Sequence, residues 1–185
     1  MRVSQRNFAP ARVRLDLLVL LALVLVVVGI VLVALQLRPS VVLAKRQAAL
    51  IDGIERRSPA RIRRLVSEGY ADRWGFDRED LVATMVDAGG QFLVLVITPE
   101  DGRWEIGKGR AVATMRLVVG GRSLSPVGQE VMRQANRIEE PFVFTWERQS
   151  FLPSSWRLVS VENAGLPDDL YGYEPGGFGR AIRDQ

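Results

Sequence analysis

Twenty-one consecutive residues, Leu17 to Leu37, carry no charge and a single amide, Gln36. As a helix rising 1.5 Å per residue they reach about 32 Å, enough for a hydrocarbon core about 30 Å thick. Helices of soluble cores are seldom apolar on all sides over such a length. The expectation is a transmembrane helix over 17–37 that holds the chain in a lipid bilayer. A basic tail, 1–16, precedes it; one ordinary domain, 38–165, and a Gly- and Tyr-rich C-terminal tail, 166–185, follow. A cleaved signal peptide is the rival, with Val42-Leu43-Ala44 as a small-residue site. The apolar run exceeds the roughly 7–15 residues of such a segment, which favours an uncleaved anchor.

The anchor also explains the charge. The chain has 25 Lys and Arg against 21 Asp and Glu. Residues 1–37 hold Arg2, Arg6, Arg12 and Arg14 against Asp16 alone, so 21 basic and 20 acidic groups remain elsewhere. The excess sits beside the membrane segment, and nucleic acid is not an expected partner. Four arginines before the apolar run face Arg38, Lys45 and Arg46 after it. The positive-inside rule then puts the N-terminus in the cytoplasm and the domain outside a bacterial inner membrane. The Arg-rich stretch 38–69 either rests on anionic headgroups or forms a solvated helix face.

The chain has no Cys and no His. Disulfides, thiol nucleophiles, Cys/His zinc sites and His-based acid–base chemistry are excluded. No phosphate loop, dinucleotide fingerprint or metal-ligand spacing occurs, so no cofactor or metal is expected.

Within the domain the apolar period is first helical. Pro39-Ser40 marks a break, and 41–57 reads as a helix with Leu43, Ala44, Ala48, Leu50, Ile51 and Ile54 on one side. Ser58-Pro59 starts a second helix burying Ile62, Leu65 and Val66, which Gly69 ends. Tyr70 to Trp74 reads as a short extended piece. Asp77 caps a third helix, 78–88, with Leu81, Val82, Met85 and Val86 inward and Gly89-Gly90 closing it.

From residue 91 the period becomes two. Phe92–Ile97 is continuously apolar, which predicts a strand covered on both faces. Pro99-Glu100-Asp101-Gly102 carries a turn signal, after which the chain returns through Arg103–Ile106. Gly107-Lys108-Gly109 suggests a bulge before a strand over 110–119. Ala111, Ala113, Met115, Leu117 and Val119 share one face of it; Arg110, Val112, Thr114, Arg116 and Val118 share the other. Residues 120–140 read either as a short helix from Ser125-Pro126 through Ala135 or as an irregular loop. Strand 141–151 places Phe142, Phe144 and Trp146 together, and Leu152–Ser155 turns it into a last strand, 156–163. The tail from Leu166 should lie over the surface or be disordered. Three helices before about four antiparallel strands make an α+β domain.

This order resembles the nuclear transport factor 2-like (cystatin-like, ketosteroid-isomerase-type) superfamily. The residues that carry the likeness are Gly69-Tyr70-Ala71-Asp72, then Gly75-Phe76-Asp77-Arg78-Glu79-Asp80-Leu81, and the closing Ser155-Trp156-Arg157-Leu158-Val159-Ser160-Val161. The resemblance implies a cone-shaped domain, three helices packed on a curved antiparallel sheet around a pocket, often dimeric through the sheet's outer face. It does not settle function, because the cone serves isomerases, dehydratases, hydrolases and scaffolds alike.

Catalytic members resembling ketosteroid isomerase need a carboxylate in an apolar pocket and a donor for an oxyanion. Tyr70 and Asp72 are the nearest candidates, with Arg116 and Glu147 on the sheet. Each has a plainer reading: Asp72 tying a strand to a helix terminus, Arg116 pairing with a neighbouring acid. Trp74, Trp104, Trp146 and Trp156 read as packing. The expectation is a non-catalytic binding or assembly module of the bacterial envelope. A homodimer or envelope protein is its partner, and a small hydrophobic molecule its conceivable ligand. The alternative is an isomerase- or cyclase-type enzyme acting on such a molecule.

Overall fold

The structure, a computed structural model, describes residues 20–31, 37–123, 125–168, 173–175 and 177. The basic tail 1–16, the ends of the apolar run at 17–19 and 32–36, and most of the C-terminal tail lie outside the described residues. The middle of the run, 20–31, is helical, and its side chains are exposed, from 47% at Val28 to 63% at Leu25. Among the described residues no helix is long and apolar enough to cross a membrane.

Helix α1 spans Pro39–Glu55, α2 Pro59–Leu65 and α3 Arg78–Gly90. Strands β1 (Phe92–Ile106) and β2 (Arg110–Ser123) form a long hairpin. Helix α4, Pro126–Arg137, leads to β3 (Phe142–Arg148) and β4 (Trp156–Asn163). The four strands lie in chain order, all antiparallel.

Local chemistry fixes the helix ends. Pro39 takes the first position of α1, where its missing N–H costs nothing, so the helix begins two residues before the expected start. Asp77 accepts from the Glu79 and Asp80 amides at 2.7 and 2.9 Å, and Asp80 returns a bond to the Asp77 amide at 3.3 Å. This closes a capping box on α3. Helix α2 stops at Leu65, short of Gly69, because Val66 leaves the helix to bridge Leu158 in parallel. The Ser67 amide donates to Leu158 O at 2.8 Å and the Ala71 amide to Val159 O at 3.1 Å. The extended piece thus starts before Tyr70 and lies along the free edge of β4.

Three readings of the sheet need correction. The Pro99–Gly102 signal does not reverse the chain. It falls inside β1 as a bulge, with a register shift between Glu100 and Arg103 and Asp101 at φ 53°. The reversal comes at Gly107-Lys108-Gly109, where the Gly107 amide donates to Arg110 O at 2.8 Å. Phe92–Ile97 is not covered on both faces: Leu93, Val94 and Val96 are 45–50% exposed, while Phe92 and Leu95 are buried. Gly121, at φ 130°, sits where any Cβ would lie 1.9 Å from Val94 O, so β2 runs on past 119 only because this residue is glycine.

The ambiguous stretch contains α4, capped by Ser125, whose hydroxyl accepts from the Gly128 amide at 3.2 Å. Among the described residues the domain therefore has four α-helices, not three. Strand β3 covers β2 only from Arg110 to Met115. Beyond it, the Asn136 side chain of α4 bonds Val119 N and O, each at 2.8 Å, and stands in for a missing strand neighbour.

The inward face of β2, Ala111, Ala113 and Met115, meets Phe144 and Trp146 of β3 and Trp156, Leu158 and Val161 of β4. Leu43, Leu50, Ile62, Leu65, Leu81 and Val82 close this core from the helices. Each such side chain contributes roughly 2 kcal/mol by leaving water. In the expected stripe of α1, Ala44 and Ala48 are exposed, and the buried residue between Leu43 and Leu50 is Gln47.

Candidate functional site

Tyr70 is 3% exposed, and its hydroxyl donates to Asp72 Oδ2 at 2.8 Å. The other Asp72 oxygen accepts from the Trp74 and Phe76 amides, both at 3.0 Å. The carboxylate thereby folds the 72–76 turn that leads into the capped α3. Burial, reinforced by the carboxylate, pushes the phenol well above its usual value, and the Val161 backbone also bonds its oxygen. A phenol so stabilised as neutral donates to Asp72 and has no spare proton to offer an oxyanion. Arg73 and Trp74 on the same turn hold the start of the C-terminal tail: Arg73 pairs with Asp168, and the Trp74 indole donates to Pro167 O at 3.0 Å.

Arg116 and Glu147 are not brought to this pair, nor to each other. Both lie on the sheet face opposite Ala111, Ala113 and Met115. Arg116 pairs across the hairpin with Glu100, its register partner, with both side chains exposed by about two-fifths. Glu147 faces Arg110, also its register partner, at 3.8 Å. It lines an open groove of about 930 Å³ beside α2 and β4, with Arg63, Arg64, Arg78 and Arg157. Most of these charges are matched. Arg63 grips Glu79 in a forked contact at 2.6–3.1 Å and holds that carboxyl below its usual range, and Arg78 reaches Glu68 at 3.6 Å.

The space enclosed by helices and sheet is elsewhere. A cavity of about 90 Å³ lies between α1, α3 and the sheet, lined by Leu50, Ile51, Ile54, Met85, Ile97, Leu117, Phe142, Phe144, Val161 and Gln47. It adjoins a wider groove of about 450 Å³ between α1 and β1, which shares Gln47, Ile51 and Ile97 and opens past Ala44, Ala48, Pro99 and Trp104. Gln47 is 4% exposed. Its Oε1 accepts from the Trp146 indole at 3.2 Å, and its Nε2 is buried without a partner. Two acids stand at the groove's rim. Asp52 is held below its usual range, first by a hydrogen bond from Arg56 and then by Arg61; Glu55 accepts from the Ile97 amide at 2.8 Å.

Gln47 is the polar residue that the sequence reading passed over. Its signal was a Gln one turn from Leu43 and nearly one from Leu50, inside an apolar stripe. A proton shuttle needs a carboxyl raised toward neutrality, and Asp52 at the rim is shifted the other way. The enclosed space can hold an apolar body and donate one hydrogen bond to it.

No family model matches this sequence, and no curated protein matches it either. Solved structures do. A candidate scytalone dehydratase of Novosphingobium aromaticivorans superposes with a TM-score of 0.51 at 11% identity, over 65% of this chain and 79% of that one. A candidate ketosteroid isomerase of Shewanella frigidimarina gives 0.50 at 13% identity, over 69% and 98%. The Bd1075 protein of Bdellovibrio bacteriovorus gives 0.50 at 7% identity over 66% of this chain, which spans only 40% of that longer one. At such identities the likeness speaks for fold alone, and the fold is that of a nuclear transport factor 2-like α+β domain.

Proposed function

We propose that this chain is a non-catalytic binding or assembly module on a nuclear transport factor 2-like domain, tethered to a bacterial inner membrane by residues 17–37. The N-terminal tail is cytoplasmic and the domain lies outside. The observation that carries the reading is the cavity lining: ten side chains and no ionisable group among them. The sequence candidates support it as well, since Tyr70 and Asp72 are saturated by the turn they build, and Arg116 and Glu147 are paired on the open face. The ligand the space suits is a small hydrophobic molecule with one hydrogen-bond acceptor, held by Gln47 Nε2. The exposed apolar helix at 20–31 motivates the anchor.

The enzyme reading is the rival, because two similar structures are named as an isomerase and a dehydratase. Full-length protein from solubilised membranes decides between them. Native mass spectrometry should find a copurifying apolar molecule, lost in Gln47→Leu, and a β,γ-unsaturated ketone should isomerise no faster than in buffer. Turnover above buffer that disappears in Asp72→Asn or Glu147→Gln would restore the enzyme. A topology reporter fused after Gln185 tests the orientation, and a cytoplasmic signal would reverse it.

A further inference from the structure

Helix α1 runs antiparallel to β1: Glu55, at its end, reaches the Ile97 amide, while Ala44 and Ala48 lie beside Pro99, Gly102 and Trp104. The start of α1 therefore sits at the end of the sheet where both strand hairpins turn. The two turns are tied together, the Arg148 amide donating to Gly109 O at 2.9 Å. Arg46, about 10 Å along α1 from Pro39, donates to Ser154 O in the β3–β4 turn. A chain that leaves a bilayer at Leu37 must present this end to the lipid surface.

The end is built for that neighbour. Phe151 is 85% exposed and Leu152 51%, the former more than any other large apolar side chain among the described residues. They are held out by a fixed turn rather than a loose one. Ser155 Oγ donates toward Ser150 O and Leu152 O at 2.8 and 2.7 Å and accepts from the Ser150 amide at 3.1 Å. Arg46 and Arg157 both donate to Ser154 O in this turn, and Arg148 follows β3 into it. Arg38 and Lys45 at the start of α1 and Lys108 in the β1–β2 turn lie at the same end, against Glu105 and a Glu147 that faces both Arg110 and Arg157. Burial lowers the Arg46 pKa, and the nearby Arg157 charge lowers it further, so these two guanidiniums lie close to one another, with Glu147 the cross-strand partner of Arg157. The opposite end, around α4, mixes Arg122, Arg133 and Arg137 with Glu130, Glu139 and Glu140.

We infer that the hairpin end of the domain is a second membrane contact, Phe151 and Leu152 entering the interface of an anionic bilayer while the surrounding Arg and Lys residues meet its phosphate headgroups. An apolar tip inside a basic collar is the combination that binds interfaces. The inference rests on the anchor at 17–37 and goes beyond it, because a tether alone leaves the domain free to tumble. Docking fixes its orientation and brings the groove mouth at Ala44 and Trp104 beside the lipid, so an apolar ligand can pass between bilayer and cavity with little exposure to water.

The chain lacks cysteine, so Phe151→Cys in the full-length protein carries one environment-sensitive fluorophore, and Glu139→Cys supplies the control at the far end. Each protein is placed in vesicles of phosphatidylcholine with phosphatidylglycerol that contain nitroxide-bearing lipid. The label at 151 should be quenched several-fold more than the label at 139, and less in vesicles of phosphatidylcholine alone. Carbonate-resistant flotation with the vesicles reads the anchor separately. Flotation with equal quenching at the two sites overturns the docking surface and leaves the anchor standing; failure to float overturns both. Quenching at 151 that is the same in both lipid mixtures overturns the role of the basic collar.

Discussion

Tyr70 with Asp72, and Gln47 with Trp146, are both hydrogen-bonded pairs set against the sheet, and they are finished to different degrees. In the first, the phenol and both carboxylate oxygens have partners, so a ligand could enter only by breaking the turn that leads into α3. In the second, Gln47 spends its oxygen on the indole and keeps Nε2 unpartnered beside an apolar cavity. An unsatisfied buried donor costs about 1–3 kcal/mol. A bound acceptor would recover that, which makes the quieter pair the better candidate for recognition and the acidic pair a piece of construction.

The strongest way to break the contrast is Trp146→Ala. The ring is fully buried, so its loss should cost about 3–5 kcal/mol and leave Gln47 without its acceptor's partner too. Urea unfolding of the solubilised full chain measures it; a cost below about 1 kcal/mol would mean that the Gln47 side is not part of the core. Next comes Gln47→Glu, which keeps an acceptor for the indole but sets a carboxyl in apolar surroundings. Burial raises the folded pKa above the unfolded value of about 4.3. The variant's penalty is therefore absent below that pH and grows by about 1.4 kcal/mol per unit above it, until the folded pKa is reached. A stability difference from the parent that stays flat between pH 4 and pH 7 would show that the site is wet.

Tyr70→Phe sharpens the other side. Losing one bond to a carboxylate should cost about 2 kcal/mol at neutral pH. Because burial and Asp72 raise the phenol, the folded chain keeps a proton that the unfolded chain releases from about pH 10. The parent should therefore lose about 1.4 kcal/mol per pH unit above that point, and the variant should lack this contribution. Equal slopes in the two would mean the hydroxyl is not sealed.

Element types were largely legible because they rest on short-range chemistry. Pro59 at a helix start, Asp77 with Asp80, and Ser125 before Pro126 each act within one turn. The order of helices and strands pointed to the fold that the solved structures share. What escaped depended on partners distant in sequence. Pro99–Gly102 has turn residues, yet β2 continues opposite and captures them as a bulge, so Asp101 adopts φ 53° inside a strand. Val66 belongs to an apolar helical stripe, yet Leu158 draws it into a bridge. Gln47 could not be told from a surface glutamine until Trp146, 99 residues away, turned its indole toward it. Asp72 could be weighed but not assigned, since its saturation depends on a turn whose geometry the sequence does not state.

The smallest effects belong to the outward face, and they test whether recognition lies in the interior or among the exposed charges. Arg116→Ala removes a cross-strand pair with Glu100 in which both side chains are about two-fifths exposed. Glu147→Gln neutralises a carboxylate 3.8 Å from Arg110 in an open groove. Water screens both pairs and holding long side chains costs rotamer freedom, so each variant should unfold within about 0.5 kcal/mol of the parent. Neither should change the amount of apolar molecule retained, because neither side chain reaches the cavity. A cost well above that, or loss of the retained molecule in Glu147→Gln, would move the functional surface from the dry interior to the charged groove. The matched pairs along that groove would then be a resting arrangement, displaced when a charged partner binds.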